Sequence, residues 1–285
     1  MTTLEATPAI GAEDFLKFRE FFYRKTGIQF DDAKRYFVDK RLLDRMAACN
    51  CDSFRSYFTM LRFQASGAEL QQLVNAMTVN ETYFLREDYQ FDCLVHDLLP
   101  EITARKKKGE TIRIWIIPSS SGEEAYSIAM TLLERWPGIA DWDVELVSSD
   151  IDTAILDQAR RGRYSARSVR QVPAPWMAKY FRRDGDAFQI CDDLRESVQF
   201  SRVNLMDPLD TRAYRGFDIV FCRNLLIYFD DLSRRQAAET LFEALLPGGY
   251  VCLGHSESMS RISSLFRPRR MSQAIVSQKP LESSR

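Results

Sequence analysis

Polar residues follow the ends of several apolar runs in this chain, where a parallel sheet would gather ligand-binding groups. The run 112–117 is followed by Ser119, Ser120, Ser121, Gly122, Glu123 and Glu124; 144–149 by Asp150 and Asp152; 198–203 by Asn204 and Asp207; 217–222 by Arg223 and Asn224. The first loop has a single glycine and no lysine, so it matches neither a dinucleotide fingerprint nor a P-loop. Its paired glutamates suit a ligand with a cationic group better than a pyrophosphate. An acidic residue closing the second strand accepts hydrogen bonds from ribose hydroxyls in dinucleotide-type folds, and Asp150 or Asp152 stands there. Each feature has a plainer alternative. Glutamates favour the dipole of a helix's first turn, and an aspartate after a strand caps the next helix.

The elements that must position these residues follow from spacing. Ile112, Ile114, Trp115, Ile116 and Ile117 form the apolar, β-branched run of a strand covered on both faces. From Glu123 the apolar spacing Tyr126, Ile128, Ala129, Met130, Leu132, Leu133 turns helical. Repetition of this unit predicts a doubly wound α/β fold over residues 89–285, with runs 250–253 and 274–277 as an antiparallel edge. Pro173 and Pro175 break the pattern between 163 and 197, where a small hairpin turning at Asp184-Gly185 is expected as an insertion.

Residues 13–88 show only helical periodicity and are expected to form an all-helical module. Within it Val38, Leu42 and Met46 make an apolar stripe. Counted at the helical angle, Lys34, Arg41 and Arg45 fall within about 40° of one another beside that stripe and are expected to face outward; the plainer alternative is an ordinary solvated face. In TVNETYFLRE (78–87), Asn80 and Thr82 favour caps and turns, and Arg86 follows aromatic residues that cover its stem.

Composition narrows the function classes. A formal net charge of -1 and a pI near 6.2 give no bulk attraction to nucleic acid or anionic membrane. No apolar run reaches the roughly 18 residues of a membrane span. MTTLEATPAIGAED lacks the basic start and apolar core of a signal peptide, so a cytoplasmic location is expected. The six cysteines include no C-x-x-C pair and the two histidines belong to no ligand motif, so neither disulfides nor a metal is expected.

With NETYFLRE, SGEEAYSIA, SSDIDTAIL, FCRNLLIYF, LLPGGY and GHSES in this order, the chain resembles the CheR-type chemotaxis receptor glutamate O-methyltransferases. The resemblance covers nearly the whole chain. It implies a Rossmann-like domain that uses S-adenosylmethionine (SAM), yields S-adenosylhomocysteine and carries an inserted β-subdomain. By the same resemblance Asn80, Thr82 and Arg86 touch the cofactor, Glu124 holds its methionyl end, Asp150 the ribose diol, and Asn204 and Leu205 the adenine. Arg223 and Asn224 complete the pocket. The receptor glutamate would enter between Arg86 and Tyr228, the expected catalytic pair, and Lys34, Arg41 and Arg45 would dock on the receptor's acidic helical region. The short turn at 183–186 implies weak or no grip on a receptor's C-terminal pentapeptide tether, and family members are expected to be monomers.

The chemistry agrees with the residue inventory. A glutamate is already ionised at neutral pH and attacks a sulfonium methyl without a general base. Holding it in line supplies about 7 to 11 kcal/mol. Two alternatives stand beside this: a non-catalytic docking module that keeps the fold, and a methyltransferase acting on another substrate.

Overall fold

The computed structural model describes residues 10–281. By its internal contacts the chain divides after Val79. The first unit is helical: α1 (Ala12–Thr26), α2 (Arg35–Ala48), α3 (Phe54–Phe63) and α4 (Ala68–Met77). Gly27, at φ 73°, ends α1, and the Asp31 side chain accepts the Lys34 amide at 3.0 Å to open the turn before α2. Phe18, Phe22, Val38, Leu42, Tyr57 and Leu73 are fully buried and form the core. The expected apolar stripe on α2 is therefore its inner face.

The second unit starts at Asn80. Residues 80–88, grouped with the helical module from sequence, pack instead against the α/β elements: the Phe84 amide donates to Ser168 O at 3.1 Å, and the Leu85 amide to Ser127 Oγ at 2.9 Å. Periodicity could not show this, because the segment is irregular and its partners lie far along the chain. Next come α5 (Tyr89–Cys93), the π-turn Leu94–Leu98 and α6 (Leu99–Thr103). The alternating body follows as β1 (Ile112–Ile116), α7 (Glu123–Arg135), β2 (Val144–Asp150) and α8 (Thr153–Arg161). The insertion holds β3 (Arg163–Ser165), α9 (Ala174–Tyr180), β4 (Phe181–Asp184) and β5 (Ala187–Ile190). The body resumes with α10 (Asp192–Glu196), β6 (Val198–Arg202), α11 (Pro208–Thr211), β7 (Phe217–Cys222), α12 (Asp231–Ala244) and β8 (Leu245–Leu253), and closes with β9 (Arg267–Arg270) and β10 (Ile275–Gln278).

The main sheet runs β6-β2-β1-β7-β8-β10-β9 and is parallel from β6 through β8. The two runs expected to pair antiparallel do so, β10 against β8 with Ser277 opposite Val251 and Gln278 opposite Tyr250. They are not the edge, however: β8 is an interior strand that also pairs parallel with β7, and β9, antiparallel to β10, lies outermost. A Cβ on Gly249 would lie 2.9 Å from Asp218 O, so glycine lets β8 approach β7 at its bulge. The insertion is a three-stranded sheet, β3-β5-β4, larger than the expected hairpin because β3 adds a strand. Within the hairpin Asp184 pairs with Ala187, leaving Gly185 and Asp186 as the loop, with Gly185 at φ 60°.

Candidate active site

In the main sheet β1 has β2 on one side and β7 on the other. The chain reverses its winding there, and in open α/β sheets the crevice at that reversal binds ligands. The loop after β1 is tied to both neighbours: the Ile117 amide donates to Phe221 O at 2.9 Å, and the Ser119 amide to Ser149 O at 2.7 Å. Gly122 turns into α7 at φ 93°, where a Cβ would meet Ala159 Cβ at 3.0 Å and the Tyr164 hydroxyl at 3.2 Å. The paired glutamates then part. Glu123 is buried and accepts from Ser121 Oγ at 2.6 Å and Ser168 Oγ at 2.8 Å, with burial pushing its carboxyl up. It knots the loop to the inserted subdomain. Glu124 keeps 16% of its side chain exposed and turns to the crevice.

Glu124 meets Arg223, which enters from the end of β7. Arg223 Nη1 donates to Glu124 Oε2 at 2.9 Å, and Nη2 to Arg86 O at 2.7 Å and, as an ion pair, to Glu87 Oε2 at 3.1 Å. Glu87 also accepts from Gln90 Nε2 at 2.8 Å and lies 2.8 Å from His255 Nδ1. Burial works against the Glu87 charge, but His255 and Arg223 outweigh it and hold the carboxyl low. Burial pushes the Glu124 carboxyl up despite Arg223. Two carboxylates thus share one buried guanidinium, and the surplus negative charge suits a cationic ligand.

Asp150, at the end of β2, is 3% exposed. Its oxygens accept the Ser120 amide at 2.8 Å and the Asp152 amide at 3.0 Å, yet burial pushes its pKa up to about 6. Asp152 caps α8 by accepting the Ile155 amide at 3.0 Å, and it also accepts from Asn80 Nδ2 at 2.8 Å. Of this pair Asp152 is the helix cap, and Asp150, which caps no helix, stands at the end of β2. The Val203 amide donates to Asp150 O at 2.9 Å, which sets buried Asn204 and Leu205 beside it. Thr82 is half-buried in the irregular run between Asn80 and Phe84.

Asn224 sits at φ 57°, and the turn after it is held by Glu257, whose carboxylate accepts the amides of Asn224 at 2.7 Å, Leu226 at 2.8 Å and Gly254 at 2.9 Å. This turn carries Tyr228. Burial, with Glu81 and Glu257 near, pushes the Tyr228 hydroxyl up against the pull of Arg86, so it stays a neutral donor at physiological pH. Arg86 Nη1 donates to Glu81 O at 3.0 Å and lies over the Tyr83 ring.

Among the described residues, Asn50, Leu85, Glu87, Ser120 and Asn224 are the non-glycine residues at positive φ, and all but Asn50 border this crevice. Such strain persists where surrounding structure enforces it. Ser119 Oγ, Ser120 Oγ, Ser148 Oγ and Arg223 Nε, all at this edge, are buried with no hydrogen-bond partner. The donor set fits a ligand that carries both a cationic end and vicinal hydroxyls.

Lys34, Arg41 and Arg45 lie in the helical unit, and the outward basic row needs correction. Arg45 donates to buried Glu69 from Nε at 3.0 Å and from Nη2 at 2.6 Å. Arg41 donates to Ala76 O at 2.8 Å and stacks 3.8 Å from the Phe37 ring centroid. Lys34 is exposed, but it belongs to the 3₁₀ turn Asp32–Lys34, so the helical angle count does not extend to it. Sequence reasoning also gave no role to Glu87, Ser168 or Glu257. Glu257 lies within the GHSES run; its signal was an acidic residue in a Gly/Ser turn, where carboxylates collect backbone amides.

Residues 80–275 match the family described as CheR methyltransferase, SAM binding domain, and residues 13–78 match CheR methyltransferase, all-alpha domain. The chain is 54% identical over 269 residues to chemotaxis protein methyltransferase 2 of Vibrio cholerae serotype O1, covering 94% of this chain and 93% of that one. It is 38% identical to chemotaxis protein methyltransferase 2 of Pseudomonas aeruginosa, covering 90% of each chain. Identity to the chemotaxis protein methyltransferase of Salmonella typhimurium is 34%, over 93% of this chain and 91% of that one.

Proposed function

The chain belongs to the CheR methyltransferase family, and we propose that it esterifies glutamate side chains in the cytoplasmic helical region of a chemoreceptor. It is a SAM-dependent methyltransferase of chemotaxis. The observation that carries the site assignment is the surplus carboxylate at the β1–β7 crevice, where Glu124 and Glu87 share Arg223.

When bound, SAM supplies a methyl group on a sulfonium whose leaving group is a neutral thioether. Glu124 would hold the ammonium of the methionyl end, and Asp150 would accept from the ribose hydroxyls. Asn204 and Leu205 flank the adenine; Asn80, Thr82, Arg223 and Asn224 complete the pocket. Asn80 works through Asp152, whose carboxylate it donates to at 2.8 Å. Arg86 and the Tyr228 hydroxyl would each donate to the substrate carboxylate and fix its orientation for methyl transfer. No base is required, because the nucleophile arrives ionised.

In the helical unit, docking on the receptor falls to exposed Lys34 and to the part of Arg41 not engaged with Ala76 O; Arg45 serves the fold. The Gly185-Asp186 loop is too short to grip a C-terminal pentapeptide. Among the described residues no helix is long and apolar enough to cross a membrane. The proposed enzyme is a cytoplasmic monomer that meets the receptor's cytoplasmic region. The test is transfer of tritiated methyl from SAM to a purified receptor cytoplasmic fragment. Glutamate esters release the label as methanol in mild base; label that is stable to base would overturn glutamate as the acceptor.

A further inference from the structure

The inserted subdomain brings one cation to the rim of the site. Arg167 Nη2 lies 3.2 Å from Glu81 Oε1, and Glu81 O in turn accepts from Arg86 Nη1 at 3.0 Å. Glu81 also belongs to the charged surroundings of Tyr228. A single residue therefore links the expected catalytic pair to a guanidinium from the insertion.

The Arg167 backbone is anchored by its neighbour, while its side chain is solvent-exposed. Its neighbour Ser168 donates through Oγ to Glu123 at 2.8 Å, accepts the Phe84 amide at 3.1 Å, and closes a turn on Ser165 O at 3.1 Å. Both ends of that anchor lie beside the site, since Glu123 precedes Glu124 and Phe84 stands two positions before Arg86. The side chains of Arg167 and Glu81 are 85% and 76% exposed. An ion pair so wetted is worth little, and an incoming carboxylate displaces it at small cost. The guanidinium fork matches a carboxylate in a way a lysine would not.

We propose that Arg167 is a substrate-recognition residue: it takes the carboxylate of an acidic side chain flanking the reacting glutamate, and Glu81 occupies it until substrate binds. This rests on the proposed glutamate substrate. An acidic helix would then meet two arginines of distinct duty, Arg86 on the reacting carboxylate and Arg167 on its neighbour, and Glu81 would act as a competing internal carboxylate.

Steady-state methyl transfer to a purified receptor cytoplasmic fragment at saturating SAM tests this, together with SAM affinity by calorimetry. Arg167→Ala is expected to raise KM for the fragment about tenfold, with SAM affinity unchanged and kcat within about twofold. Arg167→Lys should recover part of the loss. Glu81→Gln should lower KM about threefold, and only when Arg167 is present. An unchanged KM in Arg167→Ala, a parallel loss of SAM affinity and kcat, or a Glu81→Gln effect that persists without Arg167 would each overturn the proposal. A wild type that binds SAM but modifies no receptor glutamate would overturn the parent reading, and this one with it.

Discussion

Each unit pairs an arginine with glutamate, and the two clusters differ in how much is left over. In the helical unit Glu69 is 6% exposed, with both oxygens engaged by Arg45 and one also by the Tyr57 hydroxyl at 2.8 Å. Burial opposes its charge, but hydrogen bonds from Arg45, Tyr57 and Cys49 outweigh it and hold the carboxyl below its usual range. All of these groups except Cys49, just past the end of α2, come from helices with ordinary backbone. In the α/β unit Arg223 serves Glu124 and Glu87 together, its Nε has no partner, and Glu87 and nearby Asn224 are held at positive φ. The first cluster is closed and joins helices. The second is open, strained and short of positive charge, which is what a site awaiting a cationic ligand requires.

Breaking each cluster separates the two roles. Arg45→Met and Arg223→Met each strand a buried carboxylate and should lower stability by about 3 to 5 kcal/mol in denaturant titrations. Only Arg223→Met should also abolish binding of S-adenosylhomocysteine; loss of binding in Arg45→Met would erase the distinction. Arg86→Ala, at the open cluster's edge, should reduce kcat about a hundredfold. An undiminished rate with normal SAM affinity would remove Arg86 from the mechanism.

Glu257 sharpens the comparison further, since it supports the open site without facing the ligand. Glu257→Ala leaves the amides of Asn224, Leu226 and Gly254 without their acceptor. Release of the Tyr228 turn should cut kcat about tenfold, and cofactor affinity, which depends on Asn224 in the same turn, should fall by a smaller factor. Equal losses in both would mean that Glu257 shapes the cofactor pocket instead.

The smallest effect is a pH dependence. Asp150 has a pKa raised to about 6 by burial, so the folded protein holds this proton more tightly than the unfolded chain does. Its contribution to stability is complete below the ordinary carboxylate range and is lost as pH rises through about 6. Ribose hydroxyls favour the ionised form, so S-adenosylhomocysteine should bind several-fold tighter at about pH 7 than at about pH 5. Asp150→Asn should bind weakly and lose part of that pH dependence, the remainder belonging to Glu124, whose carboxyl burial also pushes up.

The α/β site was legible from sequence because strand ends are local signals: an apolar run stops, a polar residue follows, and topology brings those residues to one edge. Glu124, Asp150, Asn204 and Arg223 were placed at that edge in this way. The basic row failed for the opposite reason. A helical angle says which residues share a face but not what packs there, and the partner of Arg45, Glu69, lies on another helix. Glu257 was hidden similarly, 33 positions from the Asn224 amide it accepts. The three-residue β3 and the arginine-rich β9 were too short or too polar to show period-two alternation.

The central claim is that the surplus carboxylate at Arg223 is the cofactor's partner. Calorimetric titration with S-adenosylhomocysteine of the wild type and Glu124→Gln tests it most directly, because that variant keeps the shape and removes the charge. Micromolar binding by the wild type, weakened about a hundredfold or more in Glu124→Gln with an unchanged melting temperature, is the predicted result. Equal affinity in the two proteins would contradict it and leave the charge imbalance at the crevice without a ligand to explain it.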